Sequence, residues 1–150
     1  MTPKKVLIVG WMAACTLAWS GLAAAAADSI SLKGRLGPSQ EVPRQTVRTP
    51  NASGAFAGTL KPTAKGYRLS WRLTFTRLSG KATSAYVHQG KPGTHGAAFV
   101  FLCAPCTTGA HGSSFFSPSE VTLARQGRMY VNIRTAKNPA GEIRGQVTVS

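Results

Sequence analysis

The stretch Tyr67-Arg68-Leu69-Ser70-Trp71-Arg72-Leu73-Thr74-Phe75-Thr76 decides the fold. Aromatic or aliphatic side chains alternate with Arg, Ser and Thr without a break. A period of two sends successive side chains to opposite faces of a strand, so this segment has one buried face and one wet face. Working outward, Ser53 to Leu60 is rich in Gly and Ala around Phe56, and Ile30, Leu32 and Leu36 interleave with Ser31, Lys33 and Arg35. Both read as strands. Downstream, Met129, Val131 and Ile133 alternate again, as do Ile143, Gly145, Val147 and Val149. Ala97 to Leu102 is continuously apolar, which predicts a strand buried on both sides.

One segment invites a helix. Ser117-Pro118-Ser119-Glu120 fits a capping box with Pro at the first helical position, so a short helix is expected to about Gln126, ended by Gly127. Val121 and Thr122 suit a strand equally well. Between the strands, Gly37 to Asn51 carries Pro38, Pro43 and Pro50 and reads as a long crossing loop. Lys65-Gly66, Leu78-Ser79-Gly80 and Asn138-Pro139-Ala140-Gly141 read as shorter connections. About six or seven short strands with one long connection predict an all-β antiparallel sandwich or barrel with at most one short helix.

The chain has 150 residues, a length that suits one domain. It carries 18 Lys+Arg against 4 Asp+Glu, a formal charge of +14. So few acids argue against calcium loops, two-metal sites and paired-carboxylate glycosidases, each of which consumes several Asp or Glu. Lys4 and Lys5 precede an apolar, uncharged stretch from Val6 to about Ala24, and Ala23 to Ala27 supplies small residues for cleavage. This is the pattern of a signal peptide over residues 1–27, with Asp28 opening a single β domain over 28–150. The alternatives are an uncleaved anchor and, at Cys15, lipidation, although Met12-Ala13-Ala14-Cys15 matches a lipoprotein box only loosely. Removal of Lys4 and Lys5 lowers the 18 basic residues to 16 against 4 acidic ones, a formal +12. The expected product is exported, periplasmic or secreted, and has no transmembrane segment after cleavage.

The chemically densest stretch runs from His88 to His111 and includes His95, Cys103 and Cys106. In an oxidising compartment an even pair of cysteines reads first as a disulfide, Cys103–Cys106. The alternative is a zinc or copper site, or a thiol-redox pair, built on His88, Cys103, Cys106 and His111. The redox reading lacks the helix N-terminus that activates such a thiol. His95 and His111 each precede Gly and read as solvated loop residues. No nucleophile elbow is present, and only Asp28, Glu41, Glu120 and Glu142 are there to orient a histidine, so no catalytic residue is assigned. Glu41 and Glu142 read as anchors that bind loop amides or a neighbouring Arg. Arg68 and Arg72 share the wet face of one strand, Lys33 and Arg35 occupy the polar face of the first strand, and Arg134 and Arg144 are expected on polar faces near the C-terminus. Together they suggest a positive sheet face for anionic partners. No recognition helix, RNA-binding aromatic motif or basic arm suggests nucleic acid. Trp71 belongs to the apolar set and is expected in the core.

Three segments resemble the CHRD domain, the module named for its repeats in chordin. They are Ser39-Gln40-Glu41-Val42-Pro43; Ala85 to Gly93 (Ala-Tyr-Val-His-Gln-Gly-Lys-Pro-Gly); and Met129-Tyr130-Val131-Asn132-Ile133-Arg134-Thr135 followed by Asn138-Pro139-Ala140-Gly141-Glu142-Ile143-Arg144-Gly145-Gln146. The resemblance implies an immunoglobulin-like sandwich or barrel with Greek-key-type connections and an extracellular or periplasmic setting. It singles out Gln40, Glu41, Pro43, His88, Asn132, Gly141, Glu142 and Gly145 as motif residues. It supplies no catalytic mechanism and no cofactor. Many members have His where Tyr86 and Arg134 stand, so of that histidine set only His88 is present. The reading is an exported, non-enzymatic binding or structural module whose partners are anionic envelope polymers or other exported proteins.

Overall fold

The structure, a computed structural model, describes residues 28–150. The expected signal peptide over 1–27 and the lipidation alternative at Cys15 lie outside the described residues. The chain forms β1 (Ile30–Leu36), β2 (Ser53–Thr63), β3 (Gly66–Thr76), β4 (Ala82–Gln89), β5 (Ala98–Cys103) and β6 (Ala110–Phe116). A helix α1 (Pro118–Arg125) follows, then β7 (Met129–Thr135) and β8 (Ile143–Val149). The strands make an 8-stranded sheet in the order β5-β4-β7-β8-β1-β2-β3-β6, and every pairing is antiparallel. The end strands converge, with the rings of Phe99 and Phe116 5.8 Å apart, so the sheet nearly closes into a barrel.

Alternation sets the register. Leu69, Trp71 and Leu73 of β3 point inward with Phe56 and Leu60 of β2, Leu32 and Leu36 of β1, and Val131 and Ile133 of β7. Burying these apolar faces is the main force closing the sheet on itself. The seam between the halves is the β1–β8 pairing: Leu32↔Val149, Lys33↔Thr148 and Gly34↔Val147, with the same register resuming at the Gly37↔Arg144 bridge. After the β1–β2–β3 meander the chain crosses to the other half for the β4–β5 pair, returns to place β6 beside β3, and crosses again through α1 to β7. These are connections of the Greek-key type.

Both halves of the expected capping box form at α1: Glu120 N–H donates to Ser117 Oγ, and the Ser117 N–H donates to the Glu120 carboxylate. Val121 and Ala124 supply its buried face, which settles Val121 and Thr122 as helical. Gly127 follows with φ +65. Two expectations are corrected. The segment Ala97 to Leu102 is not buried on both sides, because β5 is an end strand: Val100 and Leu102 face the core while Phe101 is 56% exposed. His111 does not lie in a loop, since it is the second residue of β6, exposed and opposite Arg72. The Ala-His-Gly-Ser-Ser run around it has too few apolar side chains to show a strand period.

Candidate functional site

Two polar surfaces stand on the outer side of the sheet, one covered and one open. The covered one lies on β4, β7 and β8, where Tyr86 and His88, Tyr130, Asn132 and Arg134, and Arg144 and Gln146 point away from the core. The connection Gly90–Ala97 folds over it. Arg144 donates from Nη1 to the Thr94 carbonyl at 2.8 Å and from Nη2 to the Lys91 carbonyl at 3.0 Å. Gln146 Nε2 donates to the carbonyls of Gly90 (2.7 Å) and Gly127 (2.8 Å). The Arg144 guanidinium lies 3.5 Å from the Tyr130 ring centroid, and Tyr130 stacks on His88 at 4.8 Å with 11° between planes. Arg, Tyr and His thus form one stacked column beneath the loop. A guanidinium loses hydration readily and is attracted to an aromatic face, which makes Arg suited to such a buried stack.

Arg144 is therefore misplaced by the sequence reading. It is 1% exposed and serves the loop rather than solvent. Burial lowers its pKa, against the opposing pull of Tyr130 and Glu41. His88 is 3% exposed, with Nδ1 2.9 Å from the Gly96 carbonyl. Nδ1 must carry the proton to donate there, which leaves Nε2 as a lone pair without a partner among the described residues. Burial lowers the His88 pKa and outweighs the Gly96 hydrogen bond, with Arg134, His95 and Arg144 pushing the same way as burial. The ring is neutral at physiological pH.

The crossing loop Gly37–Asn51 closes the other side. Gln40 donates from Nε2 to the Arg35 carbonyl at 3.0 Å and accepts from Gln146 N–H at 3.3 Å. Val42–Pro43 is a cis peptide, and Pro43 itself is exposed. Glu41 is buried, and Asn132 Nδ2 donates to both its carboxyl oxygens at 3.0 Å. Gly141 makes room for this pair: a Cβ there would lie 2.3 Å from both Asn132 Nδ2 and Glu41 Oε2. Burial pushes the Glu41 carboxyl up to about 8, against the lowering effects of Arg144, Asn132 and Arg134 and with a smaller push from Glu142. Gly145 lies between the residues that tie β8 and β7 together, paired with Val131.

Glu142 is the second anchor, fully buried. Its carboxylate accepts from the N–H and hydroxyl of Ser79, the hydroxyl of Thr135 and, at 2.9 Å, Asn138 Nδ2. Burial raises its pKa, but these donors together outweigh it and hold the carboxyl below its ordinary value. Asn138 also clasps Val47 through both its N–H (2.8 Å) and its carbonyl (2.9 Å), while Gln45 donates to the Glu142 carbonyl. Three connections distant in sequence meet at this carboxylate. Ser79, Asn138 and Thr135 were not singled out by the sequence reading, because lone Ser, Thr and Asn in turn sequences look like ordinary turn chemistry.

The open surface is the outer face of β1, β2, β3 and β6. Lys33, Ala57, Arg72 and His111 form one cross-strand row, and Lys61, Arg68 and Phe115 another. Arg35 extends the face beyond Lys33. None of these four strands contains Asp or Glu; elsewhere, Glu41 and Glu142 are buried and Glu120 is engaged in the helix cap. Between the cations lie Ala55, Ala57, Thr59 and Ser70, and their small size leaves shallow depressions of about 370 Å³ beside Lys33 and Arg72 and about 660 Å³ beside Lys33 and Arg35. The expected four-arginine surface is thus corrected in membership: Arg68 and Arg72 share it, whereas Arg134 and Arg144 belong to the other half of the sheet.

The residues of the alternative metal or redox reading are not gathered. Cys103 and Cys106 are joined by a disulfide, with Cα atoms 5.2 Å apart, so both thiols are engaged. His88 lies on β4 under the Gly90–Ala97 loop, while His111 lies on the open face of β6. Among the described residues no group of three or more His, Cys, Asp or Glu is placed to hold an ion.

The motif residues therefore meet in space: Gln40, Glu41, Asn132, Gly141 and Glu142 all knit the crossing loop to β7 and β8. The model of the CHRD domain family matches residues 32–147, from the first strand to the last. The chain belongs to the CHRD family. No curated protein and no solved structure matches it. Within this CHRD domain Tyr86 and Arg134 pack on each other, with the guanidinium 5.0 Å from the ring centroid. Among the described residues no helix is long and apolar enough to cross a membrane.

Proposed function

We propose that this CHRD domain is an exported, non-catalytic module that binds linear anionic polymers of the cell envelope, or acidic exported proteins, across the open face of β1, β2, β3 and β6. The observation that carries the reading is the acid-free set Lys33, Arg35, Lys61, Arg68 and Arg72 on one exposed sheet face. Lys61 and Arg68 sit directly opposite each other across β2 and β3. Like charges so placed destabilise a sheet in isolation, and an anion between them reverses that sign. The small side chains between the cations keep the face flat enough for an extended chain to lie along it. On the covered face Arg144 and Gln146 are engaged by the fold's own loop and Asn132 by Glu41, which supports a structural role for these motif residues rather than a catalytic one.

Binding held by screened charge weakens with salt. Titrating the purified protein with polygalacturonate and with polyphosphate at low and at physiological ionic strength should show affinity for both falling steeply as salt rises. The double variant R68E/R72E should weaken both by roughly tenfold or more, as expected for removing and inverting two contact charges. Salt-independent binding, or an unaffected double variant, would remove the proposed mechanism.

A further inference from the structure

The open face ends in a feature that charge alone does not require. Phe115 of β6 is 56% exposed and directly opposite Arg68. One side of its ring lies against the bare α-carbon of Gly66, where a Cβ would come within 2.7 Å of the ring's Cζ. The other side opens onto a depression of about 530 Å³ lined by Thr63, Lys65, Arg68, Ser113, Ser114 and Phe115 itself. That volume falls in the range of small-ligand sites. An exposed aromatic ring, two cations and two outward-facing hydroxyls, those of Thr63 and Ser113, therefore converge at one end of the basic face.

We propose that this end is a sugar subsite, and that the anionic polymer recognised by the face is an acidic polysaccharide; this rests on the basic face being the binding surface. A pyranose ring matches the set. Its axial C–H groups form an apolar patch that packs on an aromatic face, with area burial and dispersion as the gain. Its hydroxyls match Thr63 and Ser113 as partners, and a uronate carboxylate meets the Arg68 fork with charge-assisted hydrogen bonds. Polyphosphate has no apolar face and leaves Phe115 idle. With the cross-strand spacing of roughly 5 Å, Arg68 and Phe115 are close enough to hold the carboxylate and the ring face of the same or adjacent sugars. The further cations Arg72 and Lys33 lie along the path of the following residues of the polymer.

The test compares Phe115→Ala, Phe115→Trp and R68E/R72E with the parent protein, using polygalacturonate, polyphosphate and polyglutamate as probes, with light scattering to record the oligomeric state. F115A should bind polygalacturonate about tenfold more weakly, the size of one lost aromatic contact, and polyphosphate unchanged. Phe115→Trp should retain or improve polygalacturonate binding. Equal losses for all three polyanions in F115A, or none, would overturn the sugar subsite while leaving the basic face intact. Unchanged binding of every probe by R68E/R72E would remove the basic face and the subsite with it. A parent dimer that dissociates in F115A, with sugar affinity untouched, would assign Phe115 to self-association and also overturn the proposal.

Discussion

Glu41 shows how one side chain can make a small fold sensitive to pH. Folding buries its carboxyl and pushes the pKa from 4.5 to about 8. A carboxyl that binds its proton more tightly when folded stabilises the fold fully below its ordinary value, and that contribution is lost as pH rises through about 8. His88 acts with the opposite sign: with its pKa lowered from 6.5, it supports the fold above that value and ceases to do so as pH falls. Between pH 6.5 and about 7.5 the last of the histidine's titration in the unfolded chain only opposes the trend set by Glu41, and above about 7.5 it is neutral in both states and drops out. Chemical denaturation between pH 6.5 and 8.5 should therefore show stability declining. Glu41→Gln, which keeps an oxygen for the Asn132 amide, should flatten that decline and exceed the parent at the alkaline end. An equal slope in both proteins would show that Glu41 is ionised throughout.

Elements were legible where side-chain chemistry alternates or caps. Tyr67 to Thr76 declared β3 because one face had to be buried, and Ser117 to Glu120 declared α1 because the two capping hydrogen bonds need those residue types at that spacing. The misreadings of Arg144 and Phe101 share a cause: parity along a strand gives the face a side chain points to, not what covers that face. Arg144 has the outward parity expected of a solvated cation, but the Gly90–Ala97 connection folds over it. Phe101 has the composition of a buried strand but lies on an end strand with nothing outside it. The connections themselves were least legible, since their fixed points are single polar residues far apart in sequence. Glu142 is the clearest, joining the turn at Ser79, the β7–β8 connection at Asn138 and, through Asn138 and Gln45, the crossing loop. Glu142→Ala strands several buried donors at once, at about 1–3 kcal/mol for each unsatisfied group before relaxation. Thermal unfolding of Glu142→Ala should show Tm reduced by roughly 10 °C or more, with Glu142→Gln intermediate. A loss no larger than that of an exposed substitution such as Lys137→Ala would mean the three connections are held independently of the carboxylate.

Across the whole molecule the same charge that suits a polyanion opposes compactness. With 18 Lys+Arg against 4 Asp+Glu, and with Glu41 and Glu142 turned inward to hold loops, the outer surface has almost no acid to offset its cations. Self-repulsion of this kind destabilises the folded state and is relieved by counterions. Salt should therefore act on stability and on binding in opposite directions. Raising sodium chloride from about 20 to about 300 mM, which shortens the screening length several-fold, is expected to raise Tm by a few degrees while weakening polygalacturonate binding. In R68E/R72E both responses should shrink together, because the charges that repel one another are the charges that hold the polymer. A double variant whose Tm remains as salt-sensitive as the parent's, although its binding is lost, would place the repulsion elsewhere, among the cations outside the Arg68 and Arg72 pair. The cationic face would then be a binding surface that the fold tolerates without strain.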